Sequence, residues 1–464
     1  MKPVVTVAEM RAIDSESRAF VEEPVLVERA GTALATGALR VMGGSYGRRV
    51  VVIAGKGNNG ADGRVAAARL RRRGAAVSVL EVADAPSRIG PPGVVDLVVD
   101  AAFGTGFRGS YEAPAVPAGT RVVAADIPSG VDGDTGEACG APLRADVTVT
   151  FAALKPGLLQ GDGPLLAGRV EVADIGLDVS RARIWVVEDA DVSAMLPPRT
   201  RSAYKWQSAV AVVAGSPGMT GAAQLCARGA YRAGAGMVRL GVPGADPAEL
   251  AVTEAVGERI PALGWAQAVL DMASRCKAIV VGPGLGRADE TVSQVRRLVA
   301  EAPVPVVVDA DGLWALGGAS EAEAVVHQRA ARGAPDVVLT PHDGEFARLS
   351  GGPPGADRIS DSRSLAASTG AVVLLKGPTT VVCGPDGRVL LAVAGSSRLA
   401  TAGTGDVLSG VIGAFLARGL EPPSAAALAA HVHARGAEMG LAEGLVAGDV
   451  TDLVARWLSG LRRG

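Results

Sequence analysis

Thr401-Ala402-Gly403-Thr404-Gly405-Asp406-Val407-Leu408-Ser409-Gly410 runs without interruption into the apolar segment Val411–Ala417. Residues 403–405 carry little or no side chain, so the backbone there is able to approach an anion closely, and the segment that follows reads as a helix whose first N–H groups face it. The stretch therefore describes a phosphate cradle with one carboxylate, Asp406, at its mouth. A helix N-terminus favours negative charge, so Asp406 is expected to be ionised and able to take a proton from a hydroxyl beside a phosphoryl group. A flexible turn with an acidic helix cap accounts for the same residues. Neighbouring stretches must decide.

Upstream, the same grammar recurs. Val210–Ala214 reads as a strand opening into Gly215-Ser216-Pro217-Gly218-Met219-Thr220-Gly221-Ala222-Ala223, with a helix over Gln224–Ala233. Ala278–Val281 opens into Gly282-Pro283-Gly284-Leu285-Gly286, Val306–Val308 into Asp309-Ala310-Asp311-Gly312, and Val337–Leu339 into Thr340-Pro341-His342-Asp343-Gly344-Glu345. Val372–Leu375 precedes Lys376-Gly377-Pro378-Thr379-Thr380, Val389–Val393 is a further strand, and Ala425–Gly440 and Asp449–Leu458 read as closing helices. Buried strands that end in small-residue loops before helices describe an α/β sheet with its loops gathered on one rim. His342 has no second histidine at ligand spacing, so positioning a substrate suits it better than binding metal; His431 and His433, in an Ala-rich helix, read as structural.

The first half repeats the plan. Met10–Leu39 has helical spacing, Arg49–Ala54 is a β-branched run, and Gly55-Lys56-Gly57-Asn58-Asn59-Gly60-Ala61-Asp62-Gly63 leads to a helix over Arg64–Arg73. Further strands are expected at Ala76–Val82, Val94–Asp100, Arg121–Ala125, Val147–Phe151 and Arg169–Val172. Asp100 enters the loop Phe103-Gly104-Thr105-Gly106-Phe107-Arg108-Gly109, and Asp126 enters Ile127-Pro128-Ser129-Gly130-Val131-Asp132. Ligands of open α/β sheets lie outside the carboxyl ends of the strands. There Asn59, Asp100 and Ser129 offer oxygens to a cation, and Asp126 an acid or base. Asp100 and Asp126 as plain loop caps is the competing reading. The crossover from Gly109 to Gly119 is short and broken by Pro114 and Pro117, so a helix there is expected to be missing.

At 464 residues the chain exceeds one ordinary core, and two domains, 1–185 and 186–464, are expected, with the seam between Ile184 and Thr200, where the pattern loosens into Glu188-Asp189-Ala190-Asp191 and Pro197-Pro198-Arg199. Hydrophobic residues at 48% against 20% charged exclude disorder, and 3% aromatics require cores built from Ala, Val and Leu. A net charge of -2 leaves no electrostatic footprint for nucleic acid or acidic membranes. The cysteines, Cys139, Cys226, Cys276 and Cys383, are too dispersed for a zinc site or a disulfide framework. Residues 1–20 carry Glu9, Arg11, Asp14 and Glu16 rather than a secretory core, and no run reaches the roughly 18 apolar residues of a membrane span. A cytoplasmic protein with small-molecule partners, a homo-oligomer without nucleic-acid or membrane partners, is expected.

Taken together, Gly57–Gly63, Asp100–Arg108, Asp126–Gly136 and Thr150-Phe151 with Lys155-Pro156-Gly157 resemble the NAD(P)H-hydrate epimerase domain, and the second half, from about Ser202, resembles the ADP-dependent NAD(P)H-hydrate dehydratases of the ribokinase-like superfamily. The resemblance implies a Rossmann-like three-layer α/β domain followed by a ribokinase-like α/β domain. It implies that the first half interconverts the R and S forms of NADHX and NADPHX, and that the second dehydrates the S form with ADP, through phosphorylation and loss of phosphate, releasing AMP. By similarity, the hydrated nucleotide of the first site is held by Asn58, Asn59, Gly60, Ala61, Asp62, Gly104, Thr105, Gly106, Phe107, Arg108, Gly109, Ser110 and Asp126, with Asp126 catalytic and Asn59, Asp100 and Ser129 on K⁺. In the second, Ala222, Gly284, His342 and the catalytic Asp406 meet the substrate, and Lys376, Gly377, Pro378, Thr379, Thr380, Thr404 and Gly405, within 376–380 and 396–405, hold ADP. Glu345 matches a carboxylate near Mg²⁺. Ala61 stands where the family usually has a second glycine, and Tyr204-Lys205-Trp206 where it often has His-Lys-Gly. The alternatives are a small-molecule kinase and a chain whose N-terminal half is a non-catalytic binding module.

Overall fold

The structure is a computed structural model that describes residues 1–91 and 93–461. Two compact units are present, one of Lys2–Ile184 and one of Met1 with Trp185–Gly464.

In the first unit, six parallel strands lie in the spatial order Ala76–Glu81, Arg49–Ala54, Leu97–Ala101, Arg121–Ala125, Val147–Phe151, Arg169–Ala173. The chain leaves Arg49–Ala54 for one neighbour and then returns to its other side at Leu97–Ala101. This reversal opens a crevice between the loops after those two strands. The helical span expected over Met10–Leu39 is two helices, Val7–Ser17 and Glu23–Met42. Thr6 and Glu9 cap the first reciprocally, and Pro24, with no N–H to donate, starts the second in its first turn. The helix expected at Arg64 begins at Asn58, so both asparagines belong to its first turns. No helix fills the described residues 102–120; instead Tyr111–Glu112 pairs in parallel with Gly140–Ala141.

In the second unit the order is Val389–Ala392, Thr380–Cys383, Val372–Leu375, Val337–Leu339, Val306–Val308, Ala278–Val281, Ala209–Val213, Met237–Pro243, Val256–Ile260. Val372–Leu375, Thr380–Cys383 and Val389–Ala392 are antiparallel; the other pairs are parallel. The reversal here lies between Ala209–Val213 and Ala278–Val281.

Helix Thr404–Ala417 lies in the middle of this core, buried along nearly its whole length. It runs beside helix Gly221–Arg232 at a spacing only glycine permits. A Cβ on Gly410 would stand 2.0 Å from the Cys226 carbonyl oxygen, and one on Gly229 would stand 2.5 Å from that of Val407. Leu225 meets Gly403 at one end and Gly229 meets Val407 a turn later, so the two helices run in the same direction and their N-termini open on one rim. The closing helices are Pro422–Glu438 and Ala447–Leu461. Among the described residues, no helix is long and apolar enough to cross a membrane.

Candidate active sites

In the first unit, a cavity of about 690 Å³ occupies the crevice at the strand reversal. Asn58, Asn59, Asp62, Gly104, Thr105, Gly106, Phe107 and Asp126 line it; Gly60, Ala61, Arg108, Gly109 and Ser110 do not. Gly60 serves packing, since a Cβ there would stand 1.9 Å from the Gly55 carbonyl oxygen. The methyl group of Ala61 is outside the lining, and Arg108 turns back to donate to the Phe107 carbonyl at 2.7 Å.

Asp126 sits at φ 64°, a left-handed conformation that costs a non-glycine residue energy and is kept at functional positions. Its Oδ1 accepts from Lys155 Nζ at 2.5 Å and from the Thr150 hydroxyl at 3.1 Å. Lys155 is 1% exposed, and its remaining bonds go to Thr150 Oγ1 and the Phe151 carbonyl. This lysine stands in the Lys155-Pro156-Gly157 motif, yet the sequence alone assigns it no role. Across the cavity, burial first, then Asp126 and Asp14, push the Asp62 carboxyl up to about 8. Burial and Asp126 also raise Asp14, which the helix Val7–Ser17 delivers to the cavity wall.

Asn59, on the lining, and Ser129, behind it, both reach the Phe103 carbonyl, at 2.9 and 3.1 Å, and Ser129 in turn meets Asp100. Asn59 donates through Nδ2 to the carbonyls of Phe103 at 2.9 Å and Ala125 at 3.1 Å, which leaves Oδ1 as an acceptor. Ser129 donates to Asp100 from its hydroxyl at 2.6 Å and its backbone N–H at 2.9 Å. Asp100 is wholly buried and has no basic partner among the described residues; burial raises its carboxyl against the pull of Ser129.

The second site is built on the rim shared by the two parallel helices. Lys376 Nζ lies 2.6 Å from Asp309 Oδ1, and the Ser409 hydroxyl donates to Asp309 Oδ2 at 2.6 Å. Gly405 faces this pair: a Cβ there would be 3.4 Å from Lys376 Nζ. Burial pulls the Lys376 ammonium down, but Asp309, Glu345 and Asp406 together hold it above its ordinary value. For Asp406, in the first turn of helix Thr404–Ala417, burial and then Asp309 raise the carboxyl to about 6, against Lys376. The helix dipole alone would have lowered it. Asp406 remains mainly ionised at neutral pH and is a stronger base than an ordinary aspartate.

Gly284 and Ala222 meet at the strand reversal, where a Cβ on Gly284 would be 3.2 Å from that of Ala222. His342 caps helix Asp343–Ser350, accepting on Nδ1 from the N–H groups of Gly344 and Glu345, while Glu345 accepts from the His342 N–H at 2.9 Å. Burial, then Asp309 among the acidic neighbours, raises Glu345, with Lys376 opposing. Lys376 donates its backbone N–H to Pro341, which ties the His342 loop to the loop of Gly377, Pro378, Thr379 and Thr380. Thr404 turns its hydroxyl to the carbonyls of Leu399 and Thr401. Lys205 lies just before strand Ala209–Val213, at the end opposite the loops. His431 is buried and pairs with Asp189 at 2.7 Å, and burial holds His433 neutral, at about 4. Asp309 and Ser409 escaped the sequence reading as site residues. Asp309 stood at a strand end like its neighbours, and Ser409 lies one helical turn beyond Gly405.

Comparison with known proteins matches both halves. The family model described as NAD(P)H-hydrate dehydratase matches residues 210–457, and that of the YjeF-related protein N-terminus matches 23–90 and 84–157. A bifunctional NAD(P)H-hydrate repair enzyme from Mycobacterium leprae is 40% identical over 492 residues, covering 100% of this chain and 99% of its own. One of the same description from Moorella thermoacetica is 36% identical, with 97% and 96% covered. A solved ribokinase-like superfamily protein from Enterococcus faecalis covers 60% of this chain and 96% of its own at 19% identity and a TM-score of 0.51, a likeness of fold.

Proposed function

The chain belongs to the family of bifunctional NAD(P)H-hydrate repair enzymes, and from that premise we propose how its two sites divide the work. It is an epimerase and a dehydratase in one polypeptide: the first unit interconverts the R and S hydrates, and the second returns the S hydrate to NAD(P)H. Hydration places a hydroxyl on the ring carbon beside nitrogen, so the nitrogen lone pair is available to expel an oxygen leaving group from that carbon.

In the epimerase, Asp126, fixed by Lys155 and Thr150, holds or moves a proton at that hydroxyl while Asn58, Thr105 and Phe107 line the space around the nucleotide. Asn59 Oδ1, Asp100 and the Ser129 hydroxyl suit K⁺, because a wholly buried carboxylate without a basic partner needs a cation to remain charged. Bound there, K⁺ supplies a fixed positive charge behind the cavity.

In the dehydratase, ADP is the co-substrate. Its phosphates take the helix N-terminus at Thr404 and Gly405 and the loop Lys376 to Thr380. Asp406 takes the proton from the ring hydroxyl as its oxygen attacks the terminal phosphorus and AMP departs. Phosphate then leaves with the C–O electron pair, the ring nitrogen pushes electrons in, and loss of a proton from the neighbouring carbon restores the ring double bond. Lys376 sets charge beside the transferring group, and Asp309 and Ser409 hold Lys376 in place. Glu345 offers the single carboxylate that suffices for a Mg²⁺ held largely by nucleotide phosphates, where it neutralises phosphate charge.

The observation that carries this reading is the place of Asp406, in the first turn of helix Thr404–Ala417 on the rim where Lys376 meets Asp309 at 2.6 Å, with burial raising its carboxyl. The test is the ultraviolet spectrum of a mixture of both NADPH-hydrate epimers with ADP, Mg²⁺ and K⁺. The intact chain restores the dihydronicotinamide band from both epimers faster than they exchange spontaneously, and Asp406→Ala abolishes it. Recovery from one epimer only reduces the first unit to a binding module; none with any nucleotide favours a kinase of another alcohol.

A further inference from the structure

The epimerase cavity holds more carboxyls than a single base requires. Asp126 is paired with Lys155 at 2.5 Å, whereas Asp62 is 6% exposed, lines the same cavity and has no hydrogen-bond or ion-pair partner among the described residues. Two carboxyls of one cavity thus sit in opposite environments, the arrangement that keeps one ionised and the other protonated. Asp14 and Asp126 face Asp62 with like charge. Among the cations on the cavity wall, Arg11, Arg18, Lys56 and Lys155, none offsets them at Asp62, and Glu23 and Glu81 complete the acidic side. Its pKa of about 8 agrees with the geometry.

Resting on the epimerase reading above, we infer that Asp62 is a second catalytic residue of that reaction, the general acid that complements Asp126. The step balances. The bond from ring carbon to hydroxyl breaks with its electron pair on oxygen, the Asp62 proton completes a water molecule, and the nitrogen lone pair closes a C=N⁺ bond. Water adds to the opposite face of that carbon, the π pair returns to nitrogen, and the proton released by the water passes to Asp126. Cavity water carries a proton from Asp126 back to Asp62, and the reverse epimerisation runs the same steps backwards. Inversion puts the departing and the arriving water on opposite faces of the carbon, so a donor for one and a separate acceptor for the other suit the reaction, and carboxyls of equal protonation state do not provide both.

The test follows epimer exchange by chromatography with K⁺ present and ADP omitted, so that the dehydratase is silent. In the wild-type chain kcat falls as pH rises above about 8, where Asp62 loses its proton, and the infrared carbonyl band of a protonated carboxyl disappears over the same range. Asp62→Asn lowers kcat roughly 100-fold or more with KM within about threefold, and it removes both the alkaline fall and the infrared band. Retention of kcat within about threefold, a raised KM with kcat kept, or an infrared band that survives in Asp62→Asn overturns the inference. The two wild-type measurements stand even where the variant does not fold: a flat profile above pH 7, or no titrating band near 8, overturns it as well. No exchange by the wild-type chain at any pH is the distinct failure of the epimerase reading itself.

Discussion

The ammonium of Lys376 lies 2.6 Å from Asp309 Oδ1, and the carboxylate it meets is 2% exposed. The pair joins the loop after Val372–Leu375 to the end of Val306–Val308, the two loops that flank Val337–Leu339 on the site rim. Removing one partner leaves the other charged and desolvated. Lys376→Met, which strands the buried Asp309 carboxylate beside Glu345 and Asp406 without a cation, is expected to cost about 3–5 kcal/mol, read as a lower urea midpoint, whereas the double change Asp309→Leu with Lys376→Met costs less because the most buried of the three carboxylates is removed as well. Both variants are expected to lose dehydratase activity, so stability and catalysis separate in this pair.

Asp406, the proposed base, is expected to set the acid limb of the dehydratase. Its carboxyl is raised to about 6, chiefly by burial and then by Asp309, and it acts as a base only when ionised. The rate of NADPH recovery from the S hydrate is therefore expected to climb with pH up to about 6, tenfold per pH unit below it, and to level off above about 7. Asp406→Asn lowers kcat by roughly 10² to 10⁴ and removes that limb. A profile that stays flat from pH 5 to 8 sinks the assignment.

Gly410 tests the helix pair beneath the site. A methyl group there would lie 2.0 Å from the Cys226 carbonyl, so Gly410→Ala must push helix Thr404–Ala417 away from Gly221–Arg232. The expected cost is about 1–3 kcal/mol or more, with loss of activity because Gly405 and Asp406 ride on the displaced helix. Gly460→Ala, in the helix Ala447–Leu461 with nothing within 4 Å of the added carbon, is expected to stabilise by about 0.5–1 kcal/mol. Denaturant midpoints of both variants distinguish close packing from helix propensity.

Much of this was legible in the chain because buried parallel strands read as continuous apolar runs and their loops as small-residue clusters. Arg121–Ala125, Ala278–Val281 and Val372–Leu375 lie where the pattern puts them. The break between Ser17 and Glu23 was hidden, since helical spacing continued through it while Pro24 set the real start. Strands Met237–Pro243 and Val256–Ile260 went unread because Arg239, Glu258 and Arg259 interrupt their apolar runs. In the sites, motif residues such as Asn59 and Asp126 announce themselves, but partners recruited from elsewhere do not. Asp309 and Lys376 are far apart in sequence, and only the parallel order of their strands makes them neighbours. The raised carboxyls of Asp62 and Asp406 were equally hidden, because burial and neighbouring charge are properties of the assembled cavity.

Asp100 carries the last prediction. It is wholly buried, its partners are the Ser129 hydroxyl and N–H and, at 3.4 Å, the Ala102 N–H, and no basic side chain stands beside it among the described residues. A cation that binds only the folded state stabilises it in proportion to the logarithm of its concentration over Kd, about 2.7 kcal/mol at a hundredfold excess. Thermal melting of the full chain is therefore expected to show the unfolding of the unit that holds Asp100 rising with added KCl but not with choline chloride at equal ionic strength. Screening of surface pairs such as Arg48 with Asp96 responds equally to both salts, so the difference between them isolates the site. Asp100→Asn keeps the size of the side chain and can still accept a hydrogen bond from Ser129, but it removes the charge. That variant should melt alike in the two salts, and a KCl-specific shift that persists in it would place the K⁺ elsewhere.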